Sequence, residues 1–594
     1  MRYSLLLMST VLFLAAACCG AQAPDIDPHP LPSDIQLDAS MAESDTLGSV
    51  FVPVDNWVYP ALDRLHALGY ADTAYMGMRP WTRASIAHML ELSADRISSD
   101  TNNDEARSIY VALVRELEPD IDRSTGGAPP QAELESVYTQ LRGISSTTLR
   151  DSFHLGQSIV DDYGRPYGPG FNNYSGFSAR AMAGRFSLYF RGETQYTPSA
   201  AGYSAALAAF LSGCLDGTSL PFANATPANC VNGVPLFPSP TQDTIPEGQI
   251  TATRAVRVME AVLSYHLLGH EVSLGKDDHW LGPDAGASML WGNNAEDIYD
   301  FGIDRVEPLR IPGLSRLTGP FRYDFFVGSL KGHTYPNDPW VHMEKISFKP
   351  ARDIEFGFDN LTVWGGKGHA PITLYTFFHS LFSIQNVPSS EKYSRDDPGA
   401  RFSTFDFTWR LPYLSHWITL YSDSLVHDDV SPVSAPRRSG LRPGIYLARF
   451  PGLEHLDLRL EGVTTDAPSA SIQTGQFLYW EAIQRQGPTN KGFLVGDWVG
   501  RQGKGGQAWI TYHLSPQEEV QFQYRNAKAA TAFIPGGTTQ NEFAAQVVKR
   551  VEKNFELRGS VQYERWKAPI YETGLHSDTV AAFQVTWFPP EQKK

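Results

Sequence analysis

Three observations in the sequence predict a mainly β protein. The expected architecture is a large antiparallel outer-membrane β-barrel with a small N-terminal α-helical module on the periplasmic side. From about residue 150 almost to the end of the 594-residue chain, apolar and polar residues alternate with period two. The polar positions often carry several charges per strand, as a water-filled lumen requires. Connections alternate between short and long, the rhythm of periplasmic turns and external loops. Alternation alone would also fit a soluble sheet with one wet face. The charges, the turn rhythm and the Tyr and Trp at strand ends favour the barrel.

The chain starts MRYSLLLMSTVLFLAAACCGAQA, one early charge followed by an apolar run and small residues. Residues 1–23 are therefore expected to be a secretory signal peptide. Cleavage is expected near Ala21–Ala23, with lipid attachment at Cys18 as the alternative. Residues 24–50 open with a Pro-, Asp- and Ser-rich run and are expected to be a flexible mature N-terminus.

A helical pattern follows over 51–145. Leu62, Leu65 and Leu68 share one face, and Gly69 stops that helix. Thr82 is a plausible N-cap for a second helix carrying Ile86, Met89 and Leu90. A third is expected over Asp104–Leu117 and a fourth over Glu133–Leu141. This module is expected to act as a plug or periplasmic lid.

The barrel is expected over 150–588, with 589–594 as a tail. In GRFSLYFRGETQY, Phe186, Leu188 and Phe190 oppose Arg185, Ser187, Tyr189 and Arg191. HLDLRLEG, EVQFQYR and FELRGSVQYE alternate in the same way. The last strand is expected at Val580–Phe588, preceded by a long connection from Arg565 to Asp578 and, earlier, a long loop over Asn526–Asn541. At about ten residues per strand plus loops, the barrel has room for on the order of 16–18 strands.

Lys+Arg number 49 and Asp+Glu 65, a net charge of −16, which argues against nucleic acid as a partner. No apolar run after the leader reaches the ~18 residues a membrane-spanning helix needs. Cys214 and Cys230 bracket a loop, and in an exported chain a disulfide between them is expected.

One stretch stands apart. Gly275 to Arg305, GKDDHWLGPDAGASMLWGNNAEDIYDFGIDR, interleaves turn residues with aromatic and charged ones. Sugars bind through aromatic faces together with amides, carboxylates and arginines. Asp277, Trp280, Trp291, Asn293, Asn294 and Arg305 supply these groups, and Trp364, Asp497 and Trp498 are candidates to join them. The same residues also suit turns and buried ion pairs in a lumen. Asp277-Asp278-His279 does not face one way on a strand, so no metal is expected. His266 and His270 flank a turn and read as surface residues. On a strand, His379 and Ser380 would point to opposite faces, and no oriented acid is evident, so no catalytic residue is assigned. No phosphate loop or dinucleotide motif occurs in a suitable context, and no cofactor is expected.

Four blocks in order resemble the Wzi-type capsule assembly family: VPVDNWVYPALDRLHALGY; GKDDHWLGP with WGNNA and IDR; MEKISFKPARDIEFGFDNLTVWGGKGH; and GFLVGDWVGRQGKGGQAWITYHL. This chain has Gly292-Asn293-Asn294-Ala295 where the family usually has Ser-Asn-Asn-Ala, and Asp284 where Gly often follows Gly-Pro. The loop from Cys214 to Cys230 looks particular to this chain. The resemblance implies a non-enzymatic, lectin-like protein of a Gram-negative outer membrane, exposed at the cell surface. It would help capsular or other extracellular polysaccharide assemble and attach there. The expected partners are that polysaccharide and outer-membrane lipids, with the protein a monomer. The alternative is a porin-like diffusion channel.

Overall fold

The computed structural model describes residues 47–100, 103–125, 129–217, 230–231, 234–235, 242–334, 336–383, 387–388, 390–392, 394–427, 438–467 and 474–590. The expected leader at 1–23 lies outside the described residues. Eighteen strands form one antiparallel sheet. In chain order they begin with β1 (Gln131–Ile144), β2 (Gly170–Ala183), β3 (Phe186–Thr197), β4 (Thr253–Leu267), β5 (His270–Lys276) and β6 (Tyr299–Asp304). They continue with β7 (Phe321–Ser329), β8 (Trp340–Ala351), β9 (Ile354–Trp364), β10 (Ala400–Arg410), β11 (Ile418–His427) and β12 (Gly440–Leu447). The last six are β13 (Leu456–Thr464), β14 (Gly503–Ser515), β15 (Glu518–Ala529), β16 (Thr539–Val551), β17 (Phe555–Ala568) and β18 (Glu572–Trp587). Each strand pairs with its sequence neighbours, and β1 pairs with β18 from Val137↔Trp587 to Ile144↔Val580. The sheet is therefore closed and leaves no edge.

Period two sorts the side chains as water and lipid demand. On β3, Phe186 and Leu188 are 53% and 46% exposed on the outside, while Ser187, Tyr189, Arg191 and Glu193 are buried on the lumen side. β13 repeats this, with Leu460 outside and Asp457 and Glu461 inside. Tight turns join β2–β3, β4–β5, β8–β9, β14–β15 and β16–β17 at one end. Leu268 and Gly269, between β4 and β5, have φ of 53° and 74°, the pair of left-handed residues that a two-residue hairpin turn needs. At the other end long segments connect β1–β2, β3–β4, β5–β6, β9–β10 and β13–β14.

The N-terminal module holds α1 (Val58–Ala67), α2 (Arg83–Glu91), α3 (Ala94–Ser99) and α4 (Asp104–Thr125). Thr82 caps α2, its side chain accepting from Ser85 N. Leu62, Leu65, Leu68, Ile86, Leu113 and Leu117 form one apolar core. The module sits inside the barrel at the short-turn end. Arg64 of α1 donates to Asp457 of β13 at 3.0 Å. Arg410 of β10 donates to His66 O at 3.0 Å. Glu355 of β9 accepts from Met76 N at 2.8 Å and Gly77 N at 3.1 Å.

Several boundaries differ from the sequence expectation. The helix expected over Glu133–Leu141 is the strand β1. A bulge between Leu134 and Ser136 shifts the alternation by one residue, so outward Leu134 and Val137 stand three apart and imitate a helical period. The long connection expected over Arg565–Asp578 is not a loop. β17 runs to Ala568 and β18 starts at Glu572, because charged and turn-like residues there still alternate on a strand above the lipid band. The loop expected over Asn526–Asn541 shrinks to 530–538 for the same reason. Of the segment expected to be flexible, residues 47–50 are packed, with Gly48 N donating to Gly184 O at 2.9 Å. Residues 24–46 lie outside the described residues. Among the described residues no helix is long and apolar enough to cross a membrane, which says nothing about strands.

Candidate functional site

The Gly275–Arg305 stretch leaves β5 and turns into the lumen. Gly275 begins it because a Cβ there would stand 1.9 Å from Ala261 O of the neighbouring strand. Asp278 accepts from Val54 N at 2.8 Å and from the Tyr163 hydroxyl at 3.0 Å. Trp280 exchanges backbone hydrogen bonds with Arg79 of the module, both at 3.0 Å, and its indole donates to Asp284 O at 3.1 Å. Trp291 stands edge-on to Phe326 of β7 at 4.8 Å. Asn293 O accepts from Tyr163 N at 2.7 Å, and Asn294 Nδ2 donates to Leu494 O at 3.1 Å. Trp498 donates to Gly286 O at 2.8 Å, and Asp497 accepts from Arg442 at 2.6 Å. Asp277, Trp280, Trp291, Asn293, Asn294, Asp497 and Trp498 are all at most 5% exposed. Burial pushes the Asp277 carboxyl up to about 8, against the pull of His279.

These seven residues come together, but as the interior of a plug. Segments 277–298 and 474–502 meet there around Leu281, Met289, Leu290, Tyr479 and Leu494. The other two candidates lie elsewhere. Arg305 is at the short-turn end, donating to Leu268 O. Trp364 ends β9 near Trp340, with ring centroids 6.3 Å apart, on the outer wall. His266, expected at the surface, is buried and pairs with Glu271 at 2.9 Å, because it points into the lumen one residue before the turn. Cys214 is disulfide-bonded. The side chain of Cys230, its expected partner, lies outside the described residues. Among the described residues no group of three or more His, Cys, Asp or Glu is arranged to hold a metal.

The lumen retains one large polar bay of about 610 Å³. Asp55, Trp57 and Arg83 of the module line it, with inward residues of β1–β3 and β16–β18 and the segment 159–165. Gln517, Lys553 and Phe588 place it toward the short-turn end. A charge ladder crosses its wall. Arg142 donates to Asp162 at 2.8 Å, Arg165 to Asp162 at 2.8 Å, and Arg165 to Glu193 at 2.6 Å. The Tyr138 hydroxyl closes the ladder on Glu193 at 2.6 Å. Volume, arginines, carboxylates and tyrosines are those of a site for a hydrated, hydroxyl-rich ligand.

A sequence profile described as capsule assembly protein Wzi matches residues 140–581. The chain belongs to the Wzi capsule assembly family. A solved structure described as Wzi, an outer membrane protein involved in group 1 capsule assembly in Escherichia coli and a carbohydrate-binding β-barrel, is 15% identical. The match covers 90% of this chain and 98% of that one with a TM-score of 0.62, so the two share the Wzi barrel fold. Acinetobacter baumannii OccAB3 is 8% identical, covering 76% of this chain and 98% of its own, with a TM-score of 0.38. Pseudomonas aeruginosa OprD is 8% identical, covering 76% and 94%, with a TM-score of 0.36. No curated protein matches the sequence.

In this Wzi-family barrel the bay is the part that sequence reasoning passed over. Its signal was present in β3, where Tyr189, Arg191 and Glu193 form the polar face of the alternation. That face reads as generic lumen until the module and the 159–165 segment enclose it.

Proposed function

We propose that this Wzi-family protein resides in the outer membrane and acts as a lectin-like factor. It assists assembly of capsular or other exported polysaccharide and its attachment at the cell surface. One observation supports binding over passage: the lumen is packed with apolar side chains above the bay. Trp291, Phe326, Leu281 and Met289 lie in a core where each is at most 1% exposed, and the helical module fills the short-turn end beneath it. A porin-like channel would need a continuous water path at that level. The bay, with Trp57 and Tyr138 beside paired arginines and carboxylates, is the part best suited to hold a glycan segment. Asp277, Trp280, Trp291, Asn293, Asn294, Asp497 and Trp498 serve this reading by keeping the plug in place.

The test is deletion of the gene, scored for cell-bound against shed polysaccharide. Loss of retention, restored by the intact gene, is the expected result. Unchanged retention would overturn the proposal, as would steady open-pore conductance of the purified protein in planar bilayers.

A further inference from the structure

A second constellation lies on the opposite side of the barrel wall from the lumen. On β8 the inward residues are Val341, Met343 and Lys345, so His342 and Glu344 point outward. Outward residues of a barrel at this level face lipid. A single helix, α5 (Leu374–Phe382), covers them. Thr373 caps it reciprocally with Thr376. Its underside carries Thr376 and Ser380, both buried, and its outer side exposes Leu374, Tyr375, Phe378 and Phe382.

The Ser380 hydroxyl donates to Phe377 O at 2.8 Å and its oxygen stands 3.0 Å from His342 Nε2, so a turn of the hydroxyl proton from that carbonyl to the imidazole precedes any attack. The other ring nitrogen, Nδ1, stands 2.6 Å from Glu344 Oε1. Asn360 of β9 donates to the second carboxylate oxygen at 2.9 Å, and Ser403 of β10 donates to Asn360 at 3.1 Å. A nucleophilic hydroxyl, an imidazole and an acid holding the far nitrogen recur in serine hydrolases of unrelated folds and chain orders, and here an amide also fixes the acid. Arg401 of β10 donates to Ser383 O at 2.9 Å and so brings a guanidinium to the same end of the helix. Trp364 and Phe377 flank His342, with ring centroids 6.3 Å and 6.2 Å away, and exclude water from it. His379, adjacent in sequence to Ser380, is not its partner and bonds Asp396 O instead.

We propose that Ser380, His342 and Glu344 form a serine acyl-hydrolase site for ester-linked acyl chains of the surrounding lipid. Its level fits that substrate. Trp340 and Trp364 end β8 and β9 there, as the aromatic girdle at the interface does, and lipid ester carbonyls lie at the same depth. Gly365, Gly366 and Gly368 precede the helix with φ of 64°, 99° and 91°, and these left-handed residues double the chain back so that α5 lies on the outer wall. In the reaction Ser380 Oγ attacks the ester carbonyl carbon, and its proton passes to His342 Nε2. The bond from the carbonyl carbon to the alcohol oxygen breaks, and that oxygen takes the proton from His342. Water then attacks the acyl-serine with His342 as base, releasing the fatty acid and restoring Ser380. This site is separate from the lumen, so its failure leaves the polysaccharide reading untouched.

The test uses the full-length protein in detergent micelles and in phospholipid vesicles. A fluorophosphonate probe should form an adduct mapped to Ser380, and vesicle phospholipid or a long-chain p-nitrophenyl ester should be hydrolysed. Ser380→Ala should abolish both, and His342→Asn should lower both by at least about 100-fold, the scale of a lost general base. Heat-modifiable migration on gels establishes that each variant is a folded barrel. Ser380→Cys, close in size, should regain labelling by a thiol-directed probe that depends on His342. Absence of an adduct at Ser380, together with ester turnover no greater than that of folded Ser380→Ala, would overturn the proposal.

Discussion

Arg442 of β12 and Asp497 of the plug meet at 2.6 Å, and neither side chain is exposed at all. Arg442 also holds Glu461 at 2.8 Å and Gln507 at 2.6 Å, so a single guanidinium joins the barrel wall to the plug. Removing one partner of a buried pair strands the other charge without water, which costs about 3–5 kcal/mol. Arg442→Ala strands two carboxylates and is expected to reach the upper part of that range. The check is thermal unfolding in detergent, with limited proteolysis showing the 474–502 segment cleaved before the strands.

Trp291 is expected to act through stability alone. It is 1% exposed and packs edge-on to Phe326. Trp291→Ala leaves a large cavity and should lower stability by about 3–5 kcal/mol. Glycan binding per folded molecule should not change. A loss of glycan affinity in a variant with unaltered unfolding temperature would return this residue to the binding surface.

The alternating strands were legible because lipid outside and polar lumen inside impose period two directly on the sequence, as Phe186, Leu188 and Arg191 display. β1 was not legible, since one bulge at Leu134/Ser136 breaks that period. The Gly275–Arg305 stretch announced a bent backbone correctly. Whether a bent backbone is exposed or buried depends on distant segments. Asn294 is satisfied by Leu494 O, two hundred positions away in sequence. Likewise, His342 meets Ser380 only because a helix folds back over the outer wall, and neither residue carries a sign of the other in its neighbourhood.

Stability should depend on pH through His154. This imidazole lies outside the strands, buried between Asp151 at 2.9 Å and Asp216 at 3.0 Å, and Arg501 also reaches Asp216 at 2.5 Å. Burial opposes its charge, but the two aspartates outweigh that and raise it to about 9. A raised folded value means that the contribution is complete below the ordinary histidine value of about 6.5 and fades as pH climbs through about 9. That rise corresponds to roughly 3 kcal/mol at most. Asp216 is shifted the other way: burial would raise it, but His154 and Arg501 hold it below its usual value, so its contribution fades only in acid. The unfolding temperature should therefore fall between neutral pH and pH 9–10, and His154→Gln should flatten that fall.

Two layers occupy the lumen in series, with the bay beside the lower one, and this fixes what each mutation can open. The lower layer is the helical module, held by Glu355 on Met76 N and Gly77 N and by Arg322 on Pro80 O at 2.8 Å. The upper layer is the plug of segments 277–298 and 474–502. Hydrogen bonds to charged groups contribute about 1.5–3 kcal/mol each. Glu355→Ala with Arg322→Ala should therefore undock the module by several such contributions while the closed strand ladder persists. Undocking should expose residues 69–82 to protease and enlarge the bay, yet ion conductance should stay near zero because the Trp291 layer still closes the path. Adding Arg442→Ala should loosen that second layer and produce open-channel events in planar bilayers. Conductance from the module variant alone would mean that the module is the only seal and that the upper plug leaks.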